Sequence, residues 1–178
     1  MAVIETERLA LRELTLDDAP FILDLLNDPD FIRHIGDKGV RSLDDARRYL
    51  SDGPLASYAR FGYGLWLAEL RGGAPIGLCG LVRRDTLPDP DIGYALLPAY
   101  RAASYASEAA AAVMAHAFGA LGLPRLLAIV SPANAGSSRV LEKIGMRGAG
   151  TIAQGGETLL LYAADSTAAR WPKVLVGG

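Results

Sequence analysis

The sequence predicts an α/β fold built on a mixed, largely antiparallel sheet flanked by helices. Three observations lead there. The strand-like runs "YGLWLAEL" (63–70), "APIGLCGLVRR" (74–84) and "PDIGYALL" (90–97) are joined by the turn-rich "RGG" and "DTLPDP", the pattern of an antiparallel meander. A long alanine-rich stretch then leads into "RLLAIVS" (125–131), and such a strand–helix–strand crossover places a local parallel pair, right-handed by the usual rule. Finally, "MRGAGTIA" and "ETLLLYAAD" flank Gln154-Gly155-Gly156 and read as a hairpin that closes the sheet.

The remaining elements follow in order. "ERLALREL" (7–14) alternates Leu9, Leu11 and Leu14 with charged residues, as a half-buried strand does. In "TLDDAPFILDLLNDPD", Thr15 is an N-cap, Asp17 and Asp18 suit the positive end of a helix, and Asp28-Pro29 stops it. "SLDDARRYLSDG" (42–53) repeats that pattern behind Ser42. A helix is expected from about Ser104 to Leu121, and another over "NAGSSRVLEKIG" (134–145), capped by Asn134 and ended by Gly145. The order is therefore β-α-α-β-β-β-α-β-α-β-β in one domain spanning 1–178, with 165–178 as a tail of no clear pattern.

Composition narrows the class. A chain of 178 residues with 51% hydrophobic and 21% charged residues is long enough for one well-cored globular domain. A net charge of −2 gives no general reason to expect nucleic acid. Cys79 is the only cysteine, so no internal disulfide forms, which fits a reducing cytoplasm. The acidic start "MAVIETERLALREL" is unlike a signal peptide, and no apolar run is long enough to span a bilayer. A cytoplasmic protein, monomer or homodimer, with no membrane partner is the expectation. No His, Cys or carboxylate cluster has metal-ligand spacing, so no metal is expected.

The stretch "LLPAYRAASYASEAA" (96–110) carries the chemistry. Pro98 cannot donate a ladder hydrogen bond, so sheet pairing can fail at the strand end. The helix that follows has unpaired N–H groups and a positive dipole end, able to hold a phosphate. Small residues around it let a pyrophosphate approach the backbone, and Arg101 adds a permanent charge. An ordinary turn into an alanine-rich core helix has the same appearance.

"DIGYALLPAYRAASYASEAAAAVMAHAF" followed by "SPANAGSSRVLEKIGM" resembles the GNAT superfamily of acyl-CoA N-acyltransferases, most closely the branch holding the ribosomal-protein alanine N-acetyltransferases. The resemblance runs from "ETERLALREL" to "LLLYA". It implies a GNAT-like sheet and acetyl-CoA as co-substrate, with its pyrophosphate on the loop Arg101-Ala102-Ala103-Ser104-Tyr105-Ala106. The family pattern there is Gln/Arg-x-x-Gly-x-Gly/Ala. Arg101 and Ala106 match it, whereas Ser104 stands where glycine is expected, and a Cβ there meets tight space if φ is positive.

The resemblance further implies that the backbone of Leu96 and Leu97 holds pantetheine and polarises the carbonyl. It places Asn134 on the cofactor arm and Ser137 near the sulfur, as proton donor to the leaving thiolate. Asn134 as a plain cap and Ser137 as a solvent-facing serine are the bland readings. Transfer to an amine also needs a base. Glu69 and Asp91 are the candidates, acting directly or through water; a solvated strand acid and a turn acid are the alternatives. His34 qualifies by residue type, His116 reads as structural, and Tyr162 as an acceptor-site or core residue.

The function expected is acetyl transfer to a primary amine, a protein N-terminus or a small amine. A non-catalytic acyl-CoA-binding module is the rival. A dinucleotide-binding protein is disfavoured because no Gly-x-Gly-x-x-Gly follows a first strand. Residues 28–62 and the hairpin near 153–157 are expected to form the acceptor wall. Phe31, His34, Tyr58, Phe61 and Tyr63, with Arg33, Arg41, Arg47, Arg48 and Arg60, favour an acceptor with an apolar part and an anionic group over a polyamine; aromatics that pack the helices and solvated arginines are the stronger alternative.

Overall fold

The computed structural model describes residues 1–166. The expected tail, from residue 167 onward, lies outside the described residues. The meander is present as β3 (Leu65–Leu70), β4 (Pro75–Val82) and β5 (Asp91–Leu96), paired antiparallel in that order. Helix α5 (Tyr105–Phe118) then carries the chain over to β6 (Arg125–Val130), which lies parallel to β5. Beyond α6 (Ala135–Lys143), the hairpin β7 (Arg147–Gln154) and β8 (Glu157–Asp165) closes the sheet, with β8 inserted next to β6.

The chain start differs from expectation in three places. Two strands stand there rather than one: β1 (Ala2–Glu5) folds back on β2 (Leu9–Arg12), which pairs with β3. The sheet order is β1-β2-β3-β4-β5-β6-β8-β7. After α1 (Ala19–Leu26), Asp28-Pro29 begins a helix as well as ending one. The Asp28 carboxylate accepts the N–H of Phe31 at 3.2 Å and Pro29 occupies the first turn, so α2 (Pro29–His34) follows directly. After α3 (Leu43–Leu50), Gly53-Pro54 does not break the chain either. One wide π-type turn, Ser51–Leu55, takes in the proline, and α4 (Ala56–Phe61) continues from it.

Alternating side chains give the sheet a core on each face. One face packs Trp66, Ile76, Cys79 and Ile92 against Ala109, Ala110, Val113 and Ala117 of α5. The small alanines let α5 lie close over the central strands. The other packs Leu67 and Leu78 against Ile22, Leu25, Leu26, Ala46 and Leu50 of α1 and α3. Glycine is required inside β4: a Cβ on Gly77 would stand 2.2 Å from the Ala95 carbonyl oxygen. No helix among the described residues is long and apolar enough to cross a membrane.

Candidate active site

The parallel neighbours β5 and β6 meet at a single ladder position, Asp91 opposite Leu127. Beyond it they diverge, although β5 stays paired with β4 and β6 with β8 along their lengths. The N–H of Leu97 bonds to Ile76 O at 2.8 Å. By the alternation of an antiparallel ladder, the N–H groups of Leu96 and Tyr94 therefore face the gap. A cavity of about 570 Å³ fills it. Residues 91–96 of β5 and 128–130 of β6 line two sides, and Asn134, Gly136 and Ser137 of the α6 start line a third.

Leu96 thus offers the backbone donor expected of it, and Leu97 does not. The N–H of Leu97 is held by Ile76, and its carbonyl accepts from Tyr100 N at 3.0 Å. Of the two residues expected to hold pantetheine, only Leu96 has its N–H open to the gap.

The turn into α5 leaves backbone donors open. Among the described residues, the N–H groups of Ala102, Ala103 and Ser104 have no backbone acceptor, and no side chain caps α5. Ser104 has φ +63°, the one non-glycine residue with positive φ in this part of the chain or any other described. The family's glycine preference at this position therefore has a conformational cause, and serine adopts the same backbone at some strain. Ala102, Ala103 and Ser104 are exposed, Tyr105 is half-buried beneath the Arg8 guanidinium at 4.3 Å, and Ala106 lines the cavity. These donors fit an anionic pyrophosphate.

Arg101 is placed differently from expectation. Its guanidinium binds the carboxylates of Asp28 and, at 2.6 Å, Asp30, and its Nε donates to Leu96 O at 3.1 Å. Two acids neutralise it, so it clamps the loop to α2 rather than standing free as a phosphate ligand. Its partners lie some seventy residues upstream, and local sequence gave no sign of them.

Asn134 caps α6, its Oδ1 accepting the N–H of Ser137 at 3.2 Å, and it also lines the cavity. The Ser137 hydroxyl lies 2.7 Å from the hydroxyl of Tyr94, which is also 2.9 Å from the Ser137 carbonyl. Burial pushes the Tyr94 phenol well above its ordinary pKa, so it stays protonated. Sequence reading missed Tyr94, although its place within "DIGY" on the cofactor strand was a usable signal.

The two candidate acids separate. Glu69 lies off the cavity wall, bound to Arg12 at 2.6 Å, while the same arginine holds Asp18 at 2.8 Å. Glu69 therefore belongs to a structural ion network that ties β3 to the start of α1. Asp91 lines the cavity, with its side chain only 2% exposed and one oxygen 2.9 Å from Arg84 Nε. Burial raises its pKa, and the Arg84 charge only partly opposes that. A buried carboxyl in a cleft with a raised pKa suits proton transfer.

Asp30, Phe31, Arg33, His34, Ile35, Lys38 and Tyr49 from residues 28–62 reach the cavity, as does Gln154 beside the hairpin turn. His34 presents a buried Nδ1 without a hydrogen-bond partner among the described residues. Of the expected arginines only Arg33 is on the wall, and Asp30 pairs with it at 2.7 Å. Arg41, Arg47 and Arg48 pair with Asp37, Asp44 and Asp45, and Arg60 lies over the Phe61 ring. Tyr58, Phe61 and Tyr63 pack into the core, as does Tyr162. His116 stacks edge-on against Trp66, away from the cavity.

Residues 8–147 match the family described as acetyltransferase (GNAT) domain. The chain is 29% identical over 156 residues to the Bacillus subtilis N-acetyltransferase YoaA, covering 85% of this chain and 86% of that one. An acetyltransferase structure from Agrobacterium tumefaciens is 31% identical, with a TM-score of 0.78 over 90% of this chain and 92% of that one. RimL, a ribosomal L7/L12 α-N-protein acetyltransferase in complex with coenzyme A, shares the fold at 18% identity, with a TM-score of 0.81 over 93% and 98% of the two chains. The splayed β5–β6 pair, the uncapped start of α5 and these likenesses agree: the chain belongs to the GNAT family and is an acetyl-CoA-dependent N-acetyltransferase.

Proposed function

We propose that this chain moves the acetyl group to a primary amine directly, in the gap between β5 and β6, with Asp91 as base and Ser137 as acid. The observation that carries the reading is the divergence of two parallel strands after one ladder pair, with a buried carboxyl at their junction and a hydroxyl pair across from it. When bound, acetyl-CoA supplies an activated thioester carbonyl and a thiolate that can leave. The free N–H groups at 102–104 would receive its pyrophosphate, and the N–H of Leu96 lies on the edge that the pantetheine arm would follow.

Asp91 accepts a proton from the acceptor ammonium, directly or through one water, which leaves the amine nucleophilic. Ser137 gives its hydroxyl proton to the departing sulfur, the second proton lost by the nitrogen of the tetrahedral adduct restores that hydroxyl, and Tyr94 stays protonated and holds Ser137 in place. Asp91 then releases its proton to solvent, so each ammonium acetylated sets free one thiol and one proton.

Calorimetric titration with acetyl-CoA followed by a thiol-release assay over a panel of primary amines tests the reading. Binding, turnover of at least one amine and loss of turnover in Asp91→Asn are expected. Tight binding with no turnover of any amine would favour the non-catalytic acyl-CoA module instead.

A further inference from the structure

Charge on the cavity wall is unevenly compensated. Near α2, Asp30 is shared by Arg33 and Arg101, and Arg101 also holds Asp28, so that group is neutral overall. Around Asp91 the balance differs. Arg84 has Asp91 as its one acid, and Lys38 has no hydrogen-bond or ion-pair partner among the described residues. Tyr49 and Gln154 complete this part of the wall with polar groups. Lys38 lines the cavity while remaining exposed to solvent, and partial desolvation there, followed by the charge of Arg84, lowers its pKa. The Tyr49 phenol feels the same Arg84 charge.

We infer that the acceptor is an amine bearing a carboxylate close to it, with the carboxylate taken by Lys38 and the outer edge of Arg84. This rests on the reading of the cleft as an acetyl-transfer site and adds the class of acceptor. Arg84 Nε is engaged by Asp91, which leaves the guanidinium's other nitrogens for a second carboxylate. The arrangement also explains how an acid can act as base next to an arginine. The acceptor's anion takes up the excess positive charge, while its ammonium is drawn toward Asp91. A polyamine brings further cations to a region that already has one too many.

The apolar residues Phe31, Ile35 and Val82 on the same cavity add a surface for a non-polar portion of the acceptor. The positive charge expected from the arginines of 33–60 thus comes from Lys38 and Arg84. Lys38 lies in the loop after α2, and Arg84 just beyond β4.

The test uses the full chain, acetyl-CoA and matched amines. C-terminally amidated Ala-Glu and Ala-Gln have nearly the same amine and differ in one charge; methionine and methioninamide form a second pair, and spermidine is the cationic comparator. In at least one pair the acid should exceed its amide in kcat/KM by about tenfold or more, with spermidine the slowest. Lys38→Gln should bring that ratio close to one by raising KM for the acid. Arg47→Gln, on an exposed pair with Asp44 outside the cavity, should leave the ratio as it was.

Ratios near one in both pairs, preferred turnover of spermidine, or equal loss for acid and amide in Lys38→Gln would overturn the inference. Calorimetric titration of the same pairs reads the contact without turnover. An acid that binds no tighter than its amide there, in a chain that turns over neither, also overturns it. Failure of acetyl-CoA to bind, or of every amine to react while the acids still bind selectively, would instead count against the transfer reading alone.

Discussion

Tyr94 on β5 and Ser137 in the first turn of α6 join hydroxyls at 2.7 Å across the cavity, 43 residues apart in sequence. The Tyr94 hydroxyl also reaches the Ser137 carbonyl at 2.9 Å, so it fixes both the serine side chain and the turn that carries it. Tyr94→Phe removes this support at nearly unchanged volume. The expected result is a fall in kcat of roughly 3- to 10-fold, the equivalent of one hydrogen bond, with KM for acetyl-CoA little changed. Ser137→Ala should lower kcat further, and the double variant should fall no lower than Ser137→Ala. Additive losses would show that the two hydroxyls act separately.

Asp91→Asn tests the base. General-base assistance contributes on the order of 10²–10⁴-fold, and a loss in that range is expected in kcat/KM. Burial raises the Asp91 pKa, so the acid limb of the wild-type profile should lie above the ordinary aspartate range and vanish in the variant. The stability linkage has the matching sign. The folded state holds this proton more tightly than the unfolded chain. The contribution is therefore full below about pH 3.9, the unfolded value, and is lost as pH rises through the raised folded one. Chemical denaturation across that window, compared with Asp91→Asn, measures it.

Ser104→Gly relieves a left-handed backbone at φ +63°. The αL conformation costs a residue with a Cβ about 1–2 kcal/mol, offset by about 0.5–1 kcal/mol of extra chain entropy for glycine. Thermal melting should therefore show equal or slightly greater stability, and calorimetry equal or tighter acetyl-CoA binding. A large loss of affinity would make the serine hydroxyl a ligand in its own right.

Gly77→Ala should damage fold and site together. The added Cβ would stand 2.2 Å from Ala95 O and 2.8 Å from Leu96 Cα, on the strand that borders the cavity. Overpacking of this kind costs roughly 1–3 kcal/mol. Denaturant melts should show that loss, and the displaced Leu96 should raise KM for acetyl-CoA. A stable variant with unchanged KM would show that β5 moves freely.

The central sheet was legible because its cues are local. Turn residues separate the meander strands, and an alanine-rich helix between two apolar runs dictates a crossover. Asn134 read correctly as a cap from its neighbours alone. The misses share a cause of another kind. Asp28-Pro29 reads as a stop and no helix is expected after residue 53, yet a carboxylate that ends one helix can cap the next, and a π-turn can take in a proline. At the site, Arg101 finds Asp28 and Asp30, Tyr94 finds Ser137, and Arg84 stands beside Lys38 only after the chain has folded. Periodicity carries no record of such pairings.

The lone rung between β5 and β6 leaves the middle of the sheet open. On the proposed reading the acyl donor would lie in that gap and add contacts to the strands on both sides of it. Ligand that binds only the folded chain adds about 2.7 kcal/mol of stability at a hundred times its dissociation constant. The melting temperature should therefore climb with acetyl-CoA concentration, and a melt unchanged at saturation would show that nothing bridges the gap.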